Sequence, residues 1–440
     1  MRGTKFAEPS NRGELLKFQR EKEDTLAPRE SRRSGAPGSC GRDRERGFAH
    51  SNKIGRARAT KIAVAAPEYG RIWGGIGTYV SQLLRGMGPR HEVTIFGGSE
   101  AASSDPRVTT VPLTNGGGVM ANYLKFQLAL RRRLPDLIRQ YRPDLFVVHH
   151  AQMPDLLTST KACPVVVTTH TTILGQSRGI QQARRRGSPL DGSEKTTMTV
   201  LPALLPAEVY YWKRVRHALF VSNAVRAEVM GTYLPRLRTS ATVPNGLSLD
   251  DAPPATERAD GEGSILFTGR LLGWKGLSVL LHALPYLPRR ERLYVTGSGQ
   301  VETWRRHAET LGLGADRVQF LGVIPRPELL ARLQRASLVV VPSFMESCPY
   351  SLIEAMALGK PIVASSVPGI RDMVVDGESA LLVPPGDPKA LASAMERILA
   401  DEALGHRIGA AAADRARERF SLSRMCDETV RYFETVLAAS

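Results

Sequence analysis

The stretch LVVVPSFMESCPYSLIEAMALGKPIVAS, residues 338–365, decides the fold. Its unbroken apolar run at 338–341 reads as a buried strand, residues 350–358 read as a helix that stops at Gly359, and residues 361–364 read as a second buried strand. Two carboxylates flank the junction. Glu346 falls in the loop beyond the carboxyl end of the first strand, and Glu354 falls about one turn into the helix. In an open α/β sheet that strand-end crevice is where ligands bind, and the helix start offers free N–H groups and the positive end of a dipole, which suit a phosphate. Carboxylates repel phosphate, so these two suit sugar hydroxyls. An unpaired carboxylate inside the apolar run LIEAMAL is costly, which favours a ligand role over that of an ordinary solvated glutamate.

Outward from this stretch the pattern repeats. Residues 264–270 (SILFTGR), 292–299 (RLYVTGSG), 318–322 (VQFLG) and 380–384 (ALLVP) read as strands, with helices at 277–287, 301–311 and 327–335 and from 388 and 404. The first half alternates likewise, with strands at 62–66, 92–96, 108–113, 144–150, 164–170 and 218–223 and helices at 123–141, near 207–215 and from 224. Apolar strand runs separated by helices predict parallel sheets covered on both faces, an α/β class with two doubly wound, Rossmann-like domains. The divisions are residues 60–248, a Pro- and Asp-rich linker at 249–263, residues 264–420, and a last helix at 421–440 that crosses back to the first domain. Residues 1–59 carry 15 Lys and Arg against 8 Asp and Glu with few aromatics, and read as a disordered basic extension to which no function is assigned.

A length of 440 residues calls for two or three domains. The formal net charge of +17 suits anionic substrates, but no basic and aromatic platform accompanies it, so nucleic acid is not expected as a partner. Four scattered cysteines, Cys40, Cys163, Cys348 and Cys426, show neither metal-ligand spacing nor a disulfide framework, and point to a reducing cytoplasm. No apolar run approaches the roughly 18 residues of a membrane span, and no signal-peptide core stands at the amino end. The polar stretch 175–197 is too polar for core and too long for a routine connection, and reads as a lid, an acceptor loop or a disordered insertion. The apolar and aromatic run after it, residues 200–212, is assigned to core packing ahead of an apolar acceptor or a membrane surface.

Further candidates follow from position. Gly74, Gly75 and Gly77 let the backbone approach a ligand where a helix begins after the first strand. Arg270 and Lys275 lie in the loop after the first strand of the second domain, where they are placed to neutralise a diphosphate. His149, His150 and His170 stand at or just past strand ends. No Asp-x-Asp pair occurs, so fixed cations and helix dipoles are expected to replace a metal, and no cofactor is expected.

The segment ESCPYSLIEAMALGKPIVAS resembles the E-x7-E signature of the GT4 glycosyltransferases, retaining nucleotide-sugar-dependent enzymes of the GT-B fold, and the resemblance extends over roughly residues 60–440. The chain departs from it at Ser347, Cys348 and Pro349, where members often carry Gly-Phe-Gly and where Pro349 has no N–H to offer. The resemblance implies that Glu346 contacts the donor sugar near the reacting centre and that Glu354 grips the ribose. It implies that Tyr350, Ser351 and Leu352 at the helix start, with Gly75 and Gly77, line the donor, and that Arg270 and Lys275 take its diphosphate. His170 in TTHTT matches the histidine placed beside the donor sugar, and the nucleobase falls between Gly322–Val323 and the loop of Gly297 and Gly299. Nothing in those loops separates uracil from guanine; a UDP-sugar is taken ahead of a GDP-sugar. The acceptor is a glycan, a lipid-linked glycan or a small molecule, and peripheral contact with the inner membrane face stays open. The alternatives are a non-catalytic nucleotide-sugar-binding scaffold and another GT-B enzyme, such as a sugar-nucleotide epimerase or a phosphorylase.

Overall fold

The computed structural model describes residues 59–69, 74–89, 91–97, 105–113, 119–150, 160–249, 264–287 and 291–440. The basic extension and nearly all of the linker lie outside the described residues.

The first half builds its sheet from β1 (Thr60–Ala66), β2 (His91–Gly97), β3 (Val108–Pro112), β4 (Leu145–His150), β5 (Val165–Thr169), β6 (His217–Phe220) and β7 (Thr239–Thr242), in the order β3-β2-β1-β4-β5-β6-β7. Every described pairing is parallel. β4 is buried at all six positions, as the apolar runs require of a strand covered on both faces. Helices α1 (Gly75–Gly86), α2 (Val119–Tyr141), α3 (Ile173–Arg185), α4 (Gly192–Arg214) and α5 (Asn223–Tyr233) connect and cover it.

The second half has β8 (Ser264–Thr268), β9 (Arg292–Thr296), β10 (Val318–Gly322), β11 (Leu338–Val341), β12 (Ile362–Ser365) and β13 (Leu381–Val383), ordered β10-β9-β8-β11-β12-β13 and again parallel. Its helices are α6 (Leu277–Ala283), α7 (Val301–Thr310), α8 (Arg326–Arg335), α9 (Tyr350–Ala357), α10 (Pro368–Met373), α11 (Pro388–Ala400) and α12 (Glu402–Arg419). α13 (Leu422–Ala438) leaves this half and packs Met425, Cys426, Tyr432, Phe433 and Val436 into the core under β1 and α1. Each sheet reverses its strand order once, between β1 and β4 and between β8 and β11, and at such points loops diverge to leave a crevice.

Two expectations are corrected. Residues 175–197 are not a loop: they lie mostly in α3 and in the first turns of α4, joined by a turn with Gly187 at φ 70°. Caps explain it. Thr172 accepts from Gly175 N–H, and Asp191 and Glu194 form a reciprocal capping box, so a polar segment with few apolar residues still starts helices cleanly. The helix read near 207–215 is the last part of the long α4, which holds Pro202 and Pro206. α10 had no counterpart in the sequence reading, and the helix read at 277–287 tightens after Ala283 into a 3₁₀ turn.

Candidate active site

Four loops converge beyond the carboxyl ends of β8 to β11. After β8, residues 269–272 lead into a 3₁₀ turn, Gly273–Lys275, closed by Gly276 at φ 76°. A Cβ on Gly276 would stand 1.9 Å from Pro342 O, so this turn lies directly on the chain leaving β11. The contact brings the predicted residues together: Lys275 Nζ donates to Glu346 Oε1 at 2.7 Å, and Ser343 Oγ donates to the same oxygen at 2.8 Å. Lys275 Nζ also sits 4.4 Å from the centroid of the Trp274 ring, a cation–π contact. Glu346 is 8 % exposed, so its charge is met by Lys275 rather than by water.

Glu354 projects from the second turn of α9 and is 6 % exposed. Burial raises its pKa, and Arg326 at the start of α8 pulls it back through a 2.6 Å hydrogen bond to Oε1. Arg326 is the partner of Glu354 that sequence reasoning missed. One signal was available: a cation at the first position of a helix opposes the dipole and needs a reason to be there. Its Nη2 is buried with no hydrogen-bond partner.

At the start of α9 the first N–H groups, those of Tyr350 and Ser351, have no intrahelical acceptor. Leu352 differs: its side chain is fully buried in the core and its N–H stands 3.2 Å from Pro349 O. The segments assigned to the nucleobase are adjacent, since Gly297 N–H and Thr296 Oγ1 both donate to Gly322 O, at 2.8 and 2.9 Å, while Val323 is 75 % exposed.

From the first half, Gly75 and Gly77 open α1 just beyond β1. Arg270 bears electrostatically on Tyr123 of α2, whose hydroxyl donates to Glu68 Oε1 at 2.9 Å; burial and Glu68 push that hydroxyl up, and Arg270 opposes them. His149 Nδ1 and His170 Nε2 are 3.0 Å apart, edge-on to Tyr79. Burial pushes His149 down to about 3 and His170 well below the usual imidazole range, so both are neutral at pH 7. His150 is apart from this pair: its Nε2 meets Glu208 Oε1 at 2.9 Å in a fully buried network. Contacts join the halves directly, with Asn245 Nδ2 donating to Cys348 O at 2.7 Å and Ala224 N–H to Asp372 Oδ2 at 2.6 Å.

Two family models match the chain: "Glycosyltransferase Family 4" over residues 73–251 and "Glycosyl transferases group 1" over residues 262–401. The phosphatidyl-myo-inositol mannosyltransferase of Mycobacterium leprae is 27 % identical over 86 % of this chain and 97 % of its own. A D-inositol 3-phosphate glycosyltransferase of Corynebacterium diphtheriae is 40 % identical over 34 % of this chain and 37 % of its own. Among solved structures, sucrose-phosphate synthase from Thermosynechococcus elongatus superposes with a TM-score of 0.70 at 23 % identity, over 87 % of this chain and all of that one. HepE from Anabaena, solved with UDP-glucose, gives 0.67 at 19 %, over 85 % of this chain and 99 % of its own.

Proposed function

The chain belongs to the GT4 glycosyltransferases, with the GT-B arrangement of two parallel sheets, and we propose that it moves a sugar from a nucleoside-diphosphate donor with retention of configuration and without a metal. One observation carries this reading: beyond the carboxyl ends of β8 and β11, where the second sheet reverses its order, Lys275 pairs with Glu346, while Arg270 stands in the same loop as Lys275 and Glu354 projects from the helix that follows Glu346.

Departure of the diphosphate develops negative charge while the anomeric carbon gains cationic character. Arg270 and Lys275 are pre-placed cations for the leaving group, helped by the open N–H groups at the start of α9. Lys275 is already neutralised by Glu346, so a diphosphate takes over the ammonium and releases Glu346 toward the hydroxyls of the transferred sugar. Glu354, fixed by Arg326, is held for the ribose hydroxyls. Neutral His170 offers a hydrogen bond beside the sugar without adding positive charge near the developing cation. Attack on the same face, with the leaving phosphate taking the acceptor proton, gives retention.

A UDP-sugar is the first donor to try, since HepE is solved with UDP-glucose, and the two named relatives make inositol-containing acceptors the first to pair with it. Glycan and lipid-linked acceptors follow. We propose a cytoplasmic reaction, with peripheral membrane contact for a lipid-linked acceptor. Among the described residues no helix is long and apolar enough to cross a membrane. Calorimetry with UDP, GDP, ADP and TDP and their sugars, in metal-free buffer, tests the donor site. One nucleotide is expected to bind, and Arg270→Ala and Glu354→Ala are each expected to weaken it by about ten-fold or more. Absence of binding by every nucleotide would sink the reading.

A further inference from the structure

Helix α4 carries two buried carboxylates about four turns apart, and they serve different halves of the molecule. Glu208 stays at home, accepting from Ile173 N–H at 3.0 Å and from the Tyr233 hydroxyl beside His150. Glu194 reaches across. It is 1 % exposed, and besides its capping-box bond to Asp191 N–H it accepts from Gly273 N–H at 3.0 Å through Oε2 and from Trp274 N–H at 3.1 Å through Oε1.

Those two N–H groups open the turn that ends in Lys275. A helical turn leaves its first N–H groups without partners, and the cap position here holds Leu272, whose side chain accepts nothing. The turn cannot cap itself, so a carboxylate from the other half does so. The surroundings leave it little freedom: Ser188 Oγ donates to Gly273 O at 3.3 Å, and a Cβ on Gly273 would stand 2.6 Å from the Leu190 side chain. Ile180 and Ala183 of α3 join the core of the second half beside Trp274 and Phe344.

We propose that Glu194 is a positioning residue for the donor diphosphate: its carboxylate caps the turn Gly273–Lys275 in trans and so fixes Lys275 Nζ between Glu346 and the Trp274 ring. The inference rests on the donor-site reading given above. It makes the α3–α4 hairpin part of the donor site without touching the donor. Loss of the cap is expected to loosen the grip on phosphate and leave the nucleoside, held by Glu354 and Arg326, as it was.

The test compares UDP and GDP with uridine and guanosine by calorimetry and competition in wild type, Glu194→Gln, Lys275→Ala and the double variant. Glu194→Gln keeps the shape but turns one acceptor oxygen into an NH₂ that faces an N–H. The expected result is an affinity for the preferred diphosphate lower by about ten-fold, unchanged nucleoside affinity, and no further loss when the change is added to Lys275→Ala. Glu194→Asp, which keeps the charge and shortens the reach, is expected to give the same pattern with a smaller loss, and carries the test if the amide variant does not fold. Equal weakening of nucleoside and diphosphate, or a full additional loss in the double variant, overturns the positioning role alone. Wild-type protein that binds neither diphosphate overturns the donor-site reading and this inference together.

Discussion

Glu346 and Glu354 are both buried, and each is held by a cation from another element, Lys275 in one case and Arg326 in the other. The sequence made Glu354 conspicuous because a carboxylate inside LIEAMAL needs a partner, but it did not name Arg326, which lies in a different strand–helix unit and obeys no periodicity with it. The histidines show the same limit. Their places at strand ends were legible, whereas the pairing of His149 with His170 and of His150 with Glu208 depends on which face of the sheet each side chain takes. The pair of buried His149 and half-buried His170 carries a pH prediction. His149 and His170 have folded-state pKa values below the unfolded value of about 6.5, so the unfolded chain binds more protons between the two. Their contribution is therefore fully present above about pH 6.5 and is lost as pH falls from there toward about 3, the folded-state value of His149, by up to roughly 1.4 kcal/mol per pH unit for each group. Urea midpoints at pH 7, 6 and 5 should fall for the wild type and fall less steeply for His149→Gln. Equal slopes would refute the assignment.

At the scale of elements, the sequence read most strands to within a residue or two, because buried parallel strands are continuous apolar runs bounded by turns. It failed on α3 and on the amino-terminal part of α4, where most side chains are polar and hydrophobic periodicity is weak. The signal it passed over was local: Asp191 with Glu194 three residues later is a capping box, and Thr172 is a cap. It also passed over α10, a helix of six residues whose importance is contact rather than length. A Cβ on Gly369 would stand 2.1 Å from Glu346 O and 2.6 Å from Ser347 O, so α10 rests its first turn directly on the backbone that presents Glu346. Gly369→Ala must move that loop. A displacement near 1 Å at a reacting group costs about 10²-fold in turnover, and a loss between 10-fold and 10²-fold is expected for transfer, with the melting temperature lowered as well, since forcing a methyl into a buried contact costs about 1–3 kcal/mol. Wild-type turnover in this variant would show that the loop has room to spare.

Over the whole molecule, the two halves are held together by more than the described contacts across the crevice. α13 is the last element of the chain, yet its apolar face belongs to the first half: Phe433 and Val436 lie in the core with Val80 and Leu83, Cys426 Sγ lies 3.7 Å from Leu83 O, and Tyr432 OH donates to Thr239 O at 3.1 Å. Just before it, Leu247 N–H donates to Phe420 O at 3.0 Å, so the chain passes between halves in two directions at one place. Such an arrangement ties the stability of the first sheet to residues far from it in sequence. Phe433 is 3 % exposed and lines a small apolar space with Val80, Leu84 and Met87. Removing its ring enlarges that space, and neighbours drawn from β1, α1 and β2 cannot all collapse into it, so Phe433→Ala is expected to cost about 3–5 kcal/mol. The measurement is chemical denaturation followed by tryptophan fluorescence, which reports on both halves of the sequence through Trp73 and Trp212 in the first and Trp274 and Trp304 in the second. If α13 is the tie inferred from its packing, the signals from the two halves shift together to lower denaturant. A loss below about 1 kcal/mol would mean that the neighbours close over the missing ring and would refute the expected cavity cost.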